Sequence, residues 1–237
     1  MCTVSWLYEP SGYLLLCNRD EKRTRKNAAF PRIAERDGVK FLTPIDGDHS
    51  GSWIAVNEFG LTLALLNGAS PKTVPMRSRG LLLLDWIAAN NAVELTGLFD
   101  QTDLAPYAPF TVAAIESGAK PVIHRWDGLK KTTVENGEGC MPLTSSSVDP
   151  AAAQVHRRME FRRLLGQTGR LDSHLLGLFH QSHGASPNAL TTCMHRDDAQ
   201  TVSFSRVTVD SKSIRFFYSP SAPCQHAPGV QLELPRR

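Results

Sequence analysis

Cys2 stands directly behind Met1, and a residue this small in second position leaves the initiator methionine open to removal. Once Met1 is gone, a single residue carries both a thiol and a free α-amine. A thiol ionises near ~8.5, and only the thiolate attacks carbon. An α-amine titrates near ~7.7–8.0, so at neutral pH it can accept the proton of the thiol on its own residue. The nucleophile is then activated without a histidine. Asn18-Arg19-Asp20-Glu21 offers a cation to lower the thiol further and a carboxylate to orient the ammonium. Successive strand residues face opposite sides, so Arg19 and Asp20 share a side with Cys2 only at a strand end or bulge. Asp20 is the first choice for the acid, with Glu21 in reserve. A tetrahedral intermediate also needs hydrogen-bond donors for its oxyanion. Asn67 ends the apolar run Leu61–Leu66 and can aim an amide NH2 into a site, although Asn67-Gly68 also suits a plain turn.

These residues need elements that bring them together. Glu9-Pro10-Ser11-Gly12 reads as a turn between strands over 2–8 and 13–18. Antiparallel pairing then returns Arg19 and Asp20 to Cys2. Ser52–Val56 and Leu61–Leu66 read as a second strand pair across Asn57-Glu58-Phe59-Gly60. Helices are expected over Arg79–Asn91, Ala92–Phe99, Ala151–Leu165 and Asp172–Gln181. In the third of these, Val155, Met159, Phe161, Leu164 and Leu165 supply the apolar contacts, and Arg157, Arg158 and Arg163 are solvated. Further strands are expected over 110–116, 121–126, 129–134, 201–209 and 213–218, with an extended proline-rich tail from Ser219. Strands at both ends with helices between them fit two antiparallel sheets covered by helices, in one domain over residues 1–237.

Met1-Cys2, Asn18-Arg19-Asp20-Glu21, Ser52-Trp53-Ile54 and Asn57-Glu58-Phe59-Gly60-Leu61 followed by Asn67 together resemble the NRDE family, which includes transport and Golgi organisation proteins. More distantly the chain is similar to conjugated bile acid hydrolases and penicillin V acylases, which are N-terminal cysteine amidases. The likeness is good over roughly residues 1–70 and thinner beyond. It implies a four-layer αββα sandwich, Cys2 as nucleophile, Arg19 and an acidic neighbour as the charged pair beside it, and Asn67 as an oxyanion donor. A second asparagine follows a Leu-Thr or Leu-Ser pair in both groups. Here Leu143-Thr144 is followed by Ser145, which donates one hydrogen bond where Asn donates two. Arg196 is the nearest candidate for a further arginine of the amidases. The implied reaction is hydrolysis of a non-peptide carbon–nitrogen bond in a small-molecule amide. The rival reading, also implied by the family, is a non-enzymatic binding or trafficking protein that handles haem, with Cys2, His49 or a Met as ligand.

Composition excludes several other classes. The 237 residues carry a net charge of +3, too small to indicate a nucleic-acid partner, and 41% hydrophobic residues suffice for a sizeable core. Five cysteines at positions 2, 17, 140, 193 and 224 show no zinc-site spacing. Their odd number and scatter fit reduced thiols in the cytoplasm. His174, His180 and His183 do not share one helical face, so neither metal nor cofactor is expected. No segment approaches the ~20 apolar residues of a membrane span. Self-association into a homo-oligomer stays open. Lys22-Arg23-Thr24-Arg25-Lys26 reads as a solvated loop, and Trp6, Trp53, Trp86 and Trp126 read as core.

Overall fold

The N-terminal hairpin sets the architecture, because both of its strands alternate between two apolar environments. A computed structural model describes residues 2–69, 75–184 and 188–237. Its strands are β1 (Cys2–Glu9), β2 (Gly12–Lys22), β3 (Ala29–Arg36), β4 (Val39–Ile45), β5 (Ile54–Asn57), β6 (Thr62–Asn67), β7 (Phe110–Ile115), β8 (Val122–Trp126), β9 (Lys131–Val134), β10 (Leu143–Thr144), β11 (Ala199–Val209), β12 (Ser213–Ser219) and β13 (Val230–Pro235). Its helices are α1 (Arg79–Trp86), α2 (Ala92–Gln101), α3 (Pro150–Thr168) and α4 (Ser173–Gln181). One sheet runs β10-β1-β2-β11-β12-β13 and the other β3-β4-β5-β6-β7-β8-β9.

Val4, Trp6, Tyr13, Leu15 and Cys17 face inward and pack on Leu42, Ile54, Val56, Ala64 and Leu66 of the second sheet. Leu14 and Leu16, one residue out of phase, pack on Phe161, Leu164, Leu175, Leu176 and Phe179 of α3 and α4. The second sheet does the same on its far side, where Leu63, Leu65 and Val112 meet Leu82, Leu83, Trp86, Leu95 and Phe99 of α1 and α2. The layers are therefore helix, sheet, sheet, helix, as expected. The four tryptophans are buried, also as expected.

Three details differ from expectation. Helix α3 begins at an Asp149 cap with Pro150 behind it and stops at Gly169 with φ 72°. It buries Ala153, Arg157, Phe161 and Leu164. Arg157 is thus fully buried rather than solvated, and Val155 and Met159 face solvent. Hydrophobicity misassigned this face because a charged residue occupies the inward stripe. Second, β3 and β4 had no individual bounds within a first seventy residues expected to form strands and tight turns: β3 is an edge strand that buries only Pro31 and leaves Phe30 and Ile33 exposed. Third, the tail is not merely extended, since β13 pairs with β12, while the expected helix over Arg79–Asn91 ends at Trp86.

Between the first sheet and α4, His180 is fully buried. Its Nδ1 lies 2.9 Å from Asn18 Oδ1 and its Nε2 lies 2.8 Å from Ser5 Oγ. The Asn18 amide donates to His180 O and Thr192 O, so Asn18 Oδ1 accepts from Nδ1–H and Ser5 donates to Nε2. Burial, with Arg157 nearby, drives His180 from 6.5 down to about 3. Between those values the unfolded chain takes up a proton that the native chain refuses. The stabilisation is complete above the unfolded value and is lost as pH falls, at about 1.4 kcal/mol per pH unit for one such group. Urea midpoints measured at successively lower pH should fall, and His180→Gln should flatten that fall. A slope unaltered in the variant would remove His180 from the account.

Candidate active site

The pleat of β2 sorts Asn18-Arg19-Asp20-Glu21 into two pairs. Asn18 and Asp20 face the helices, while Arg19 and Glu21 face the space between the sheets. Cys2 is the direct cross-strand partner of Arg19, so both side chains share the inner side. There they line a cavity of about 310 Å³ with Glu21, Trp53 and Asn67. The expected convergence of Cys2, Arg19 and Asn67 is thus present in the structure. Cys2 keeps only 4% exposure, yet it lies at a cavity wall beside a guanidinium.

Arg19 is fixed from three directions. It pairs with Asp46 and, at 3.5 Å, with Glu21, and its guanidinium stacks 4.3 Å from the Trp53 ring centre. Arg25, from the loop read as solvated, joins this network through Asp46 and Glu21. The neighbouring Cys17 thiol, as hydrogen-bond partner, holds Cys2 below the ordinary thiol value, opposed by burial and by Asp20 and assisted by Arg19. Cys17 is pushed well above it, first by the same contact and then by burial. Cys2 is therefore the thiol of the pair that ionises.

Asp20 lies on the opposite side of the sheet and is fully buried. Its Oδ1 accepts from Thr201 Oγ1 at 2.7 Å and its Oδ2 from Arg157 Nη2 at 3.4 Å. A register shift in β11 between Thr201 and Ser203, opposite Asp20 and Arg19, accommodates this seat. Burial pushes the Asp20 carboxyl above its ordinary range, against the pull of Arg157. Arg157 also donates to Thr3 Oγ1 at 2.7 Å and Leu190 O at 3.2 Å. Of the two acids considered, Glu21 shares the thiol's cavity and Asp20 attends Cys2 from behind.

Ser145 lies at the backbone of Cys2 rather than at the cavity wall. Its Oγ accepts from Cys2 N–H at 2.9 Å, and its own N–H donates to Cys2 O at 2.9 Å. It is therefore placed to meet the amine and not an oxyanion. Arg196 is not brought to Cys2: it pairs with Asp198 at 2.6 Å in a separate surface depression with His195 and Asp197. Asn67, by contrast, ends β6 at the cavity, and its side-chain amide has no hydrogen-bond partner among the described residues. Met1 lies outside the described residues, so its expected removal does too.

Arg77 and Arg79 also line the cavity and were not singled out in the sequence. Among the described residues neither has a carboxylate partner. Arg79 donates to Pro109 O at 2.7 Å and Arg77 to Tyr107 Oη at 3.5 Å. Burial lowers the Arg79 guanidinium below its ordinary value. The start of α1 reaches this wall because two glycines touch: a Cβ on Gly51 would lie 2.5 Å from Gly80 C. Asn57, by contrast, is structural. Its amide donates to Ile87 O and Ala89 O, and its Oδ1 accepts from Phe59 and Leu61.

Two antiparallel sheets layered between helices in this order form the N-terminal nucleophile hydrolase fold, and known structures agree on the fold. The chain superposes on the C2A mutant of conjugated bile acid hydrolase from Clostridium perfringens with TM-score 0.58 at 12% identity, covering 99% of this chain and 92% of that one. For the Caenorhabditis elegans orthologue of N-acylethanolamine-hydrolyzing acid amidase the values are 0.62, 13%, 87% and 92%. For penicillin V acylase from Agrobacterium tumefaciens they are 0.60, 11%, 99% and 86%. At these identities the likeness is one of fold. The sequence profile of the Transport and Golgi organisation 2 family matches residues 1–214, and the chain belongs to that family. None of the curated proteins compared with the chain matches it. No helix among the described residues is long and apolar enough to cross a membrane.

Proposed function

We propose that the protein is an N-terminal cysteine hydrolase that cleaves a non-peptide amide after Met1 is removed. The observation that carries this reading is the cavity in which Cys2, its cross-strand partner Arg19 and the Asn67 amide, unpartnered among the described residues, converge. The freed amine of Cys2 takes the thiol proton, and Sγ attacks the amide carbon. Asn67, with a backbone N–H, stabilises the oxyanion. The leaving amine departs with the proton, and water then hydrolyses the thioester. Arg19 supports the thiolate, while Asp20 and Ser145 hold the ammonium from the other side of the strand. The cavity walls carry Arg19, Arg25, Arg77 and Arg79 against Glu21 and Asp46. This excess of cations favours a substrate with an anionic group, and the start of α1 adds to it.

The test is turnover of a panel of small amides, with and without a carboxylate, by protein whose first residue is Cys2. Asn67→Ala should lower kcat by about 10²–10³-fold, the usual effect of losing one oxyanion donor, with KM little changed. Hydrolysis unaffected by that change would remove Asn67 from the mechanism, and no turnover across the panel would count against the enzyme.

A second reading keeps the cavity and drops the chemistry. It is favoured by His49 and Met76, which line the same cavity as Cys2 and offer soft and imidazole ligands. Haem titration separates the two readings: a Soret shift lost in His49→Ala supports binding, and an unshifted band rejects it.

A further inference from the structure

A second constellation lies outside the cavity, where α4, the segment before β11 and the turn before β13 meet. His195 Nε2 is 3.5 Å from Cys193 Sγ and 3.3 Å from Cys224 Sγ. The three atoms lie within 4.8 Å of one another. A neutral imidazole nitrogen has one lone pair and accepts one proton, yet two thiols converge on this one. The geometry suits a cation better than a pair of S–H bonds. With Zn–S near ~2.3 Å and Zn–N near ~2.0–2.1 Å, a tetrahedral site separates neighbouring S and N ligands by ~3.6 Å. Both observed separations are within a few tenths of an ångström of that edge. His183, just past the end of α4, stands with its ring centre 5.6 Å from that of His195 at an interplanar angle of 88°. Its Nδ1 lies 3.1 Å from Gly184 O. A carbonyl only accepts, so Nδ1 carries the proton and Nε2 holds the free lone pair. Neither ring nitrogen of His183 joins the three ligand atoms that lie within 4.8 Å of one another, so His183 flanks the cluster and is not counted in it.

We propose that Cys193, His195 and Cys224 bind one soft divalent cation of the zinc type, with a solvent molecule completing the tetrahedron. Binding releases the two thiol protons, and no redox step is involved. Thiolate and imidazole donors select such an ion over calcium or magnesium. None of these residues lines the Cys2 cavity, so the role assigned is that of a staple. It would tie together segments that are otherwise held by a few loop contacts. Cys193 N–H donates to Ser182 O at 2.8 Å and Met194 N–H to Thr201 Oγ1 at 2.8 Å, and Thr201 in turn holds Asp20. The staple therefore clamps the segment that seats Asp20. The proposal does not depend on the hydrolase reading.

The full chain, reduced, stripped with chelator and returned to buffer, should take up one Zn²⁺ per chain with submicromolar Kd. Co²⁺ alone should give thiolate-to-cobalt charge transfer and the intense visible bands of a tetrahedral site. Cys193→Ser, His195→Ala and Cys224→Ser should each weaken binding by about 100-fold. Cys140→Ser should leave it unchanged. Circular dichroism checks that each variant folds. Independently of any variant, Zn²⁺ should shield the half-buried Cys224 from alkylation in the natural chain. The proposal is overturned by no uptake, by uptake indifferent to Cys193 and Cys224, or by alkylation indifferent to Zn²⁺. A Cys193–Cys224 disulfide in protein that takes up no metal after reduction would also overturn it.

Discussion

On the hydrolase reading proposed above, Cys2→Ala should abolish amide turnover and leave the fold in place. The substitution removes one buried sulfur, comparable to a buried methylene at ~0.8 kcal/mol, so the loss of stability is small beside the loss of rate. Cys2 is itself buried, at 4% exposure. The variant is tolerated because the deleted group is small. Wild-type protein should lose one methionine mass on intact-mass analysis. A limiting dose of a thiol reagent should then modify Cys2 before Cys17, because their contact holds Cys2 below the ordinary thiol value and pushes Cys17 well above it. Turnover near wild type in Cys2→Ala would end the mechanism. Full retention of Met1 in active protein would exclude the amine as proton acceptor.

Arg157→Met lowers stability more than any surface change. Arg157 is fully buried and serves Asp20, Thr3 and Leu190 O together. Removing one member of a buried ion pair strands the other in a medium that cannot solvate it, at a cost of about 3–5 kcal/mol. The urea midpoint should fall accordingly with little change in slope. Asp20→Asn added to Arg157→Met should recover part of the loss, since the stranded charge is then gone. A single variant within about 0.5 kcal/mol of wild type, the scale of an exposed site, would show that the pair does not hold the sheet to α3.

The geometry of the first strand pair was legible in the sequence because it rests on local rules. Cys2 follows Met1, a turn at residues 9–12 closes a hairpin, and antiparallel pairing brings Arg19 opposite Cys2. Asn67 was legible as a polar residue ending an apolar strand. Arg157 was not, because apolar periodicity in α3 discards a cation whose partner lies on a distant strand. Arg77 and Arg79 were missed for a related reason: their meaning depends on the approach of Gly51 to Gly80, which no spacing encodes. Ser145 was matched to the cavity by its position after Leu143-Thr144, but the pairing of β10 with β1 turns it toward Cys2 N. The Cys193, His195 and Cys224 cluster was not legible, since Cys193 and His195 share one loop while Cys224 comes from a turn 29 residues further on.

The strict alternation along the first strand has a consequence for how this chain can vary. Thiol and amine of one residue serve opposite compartments, the sulfur forward between the sheets and the nitrogen at the edge facing Ser145. Inserting or deleting a single amino acid between Cys2 and Glu9 would invert every later side chain in the strand relative to its partners. Trp6 would be driven among the helices, and Ser5 would lose His180. Length polymorphism should therefore be forbidden inside this octapeptide and tolerated in the 9–12 turn, so drift at this end of the chain can proceed by substitution alone.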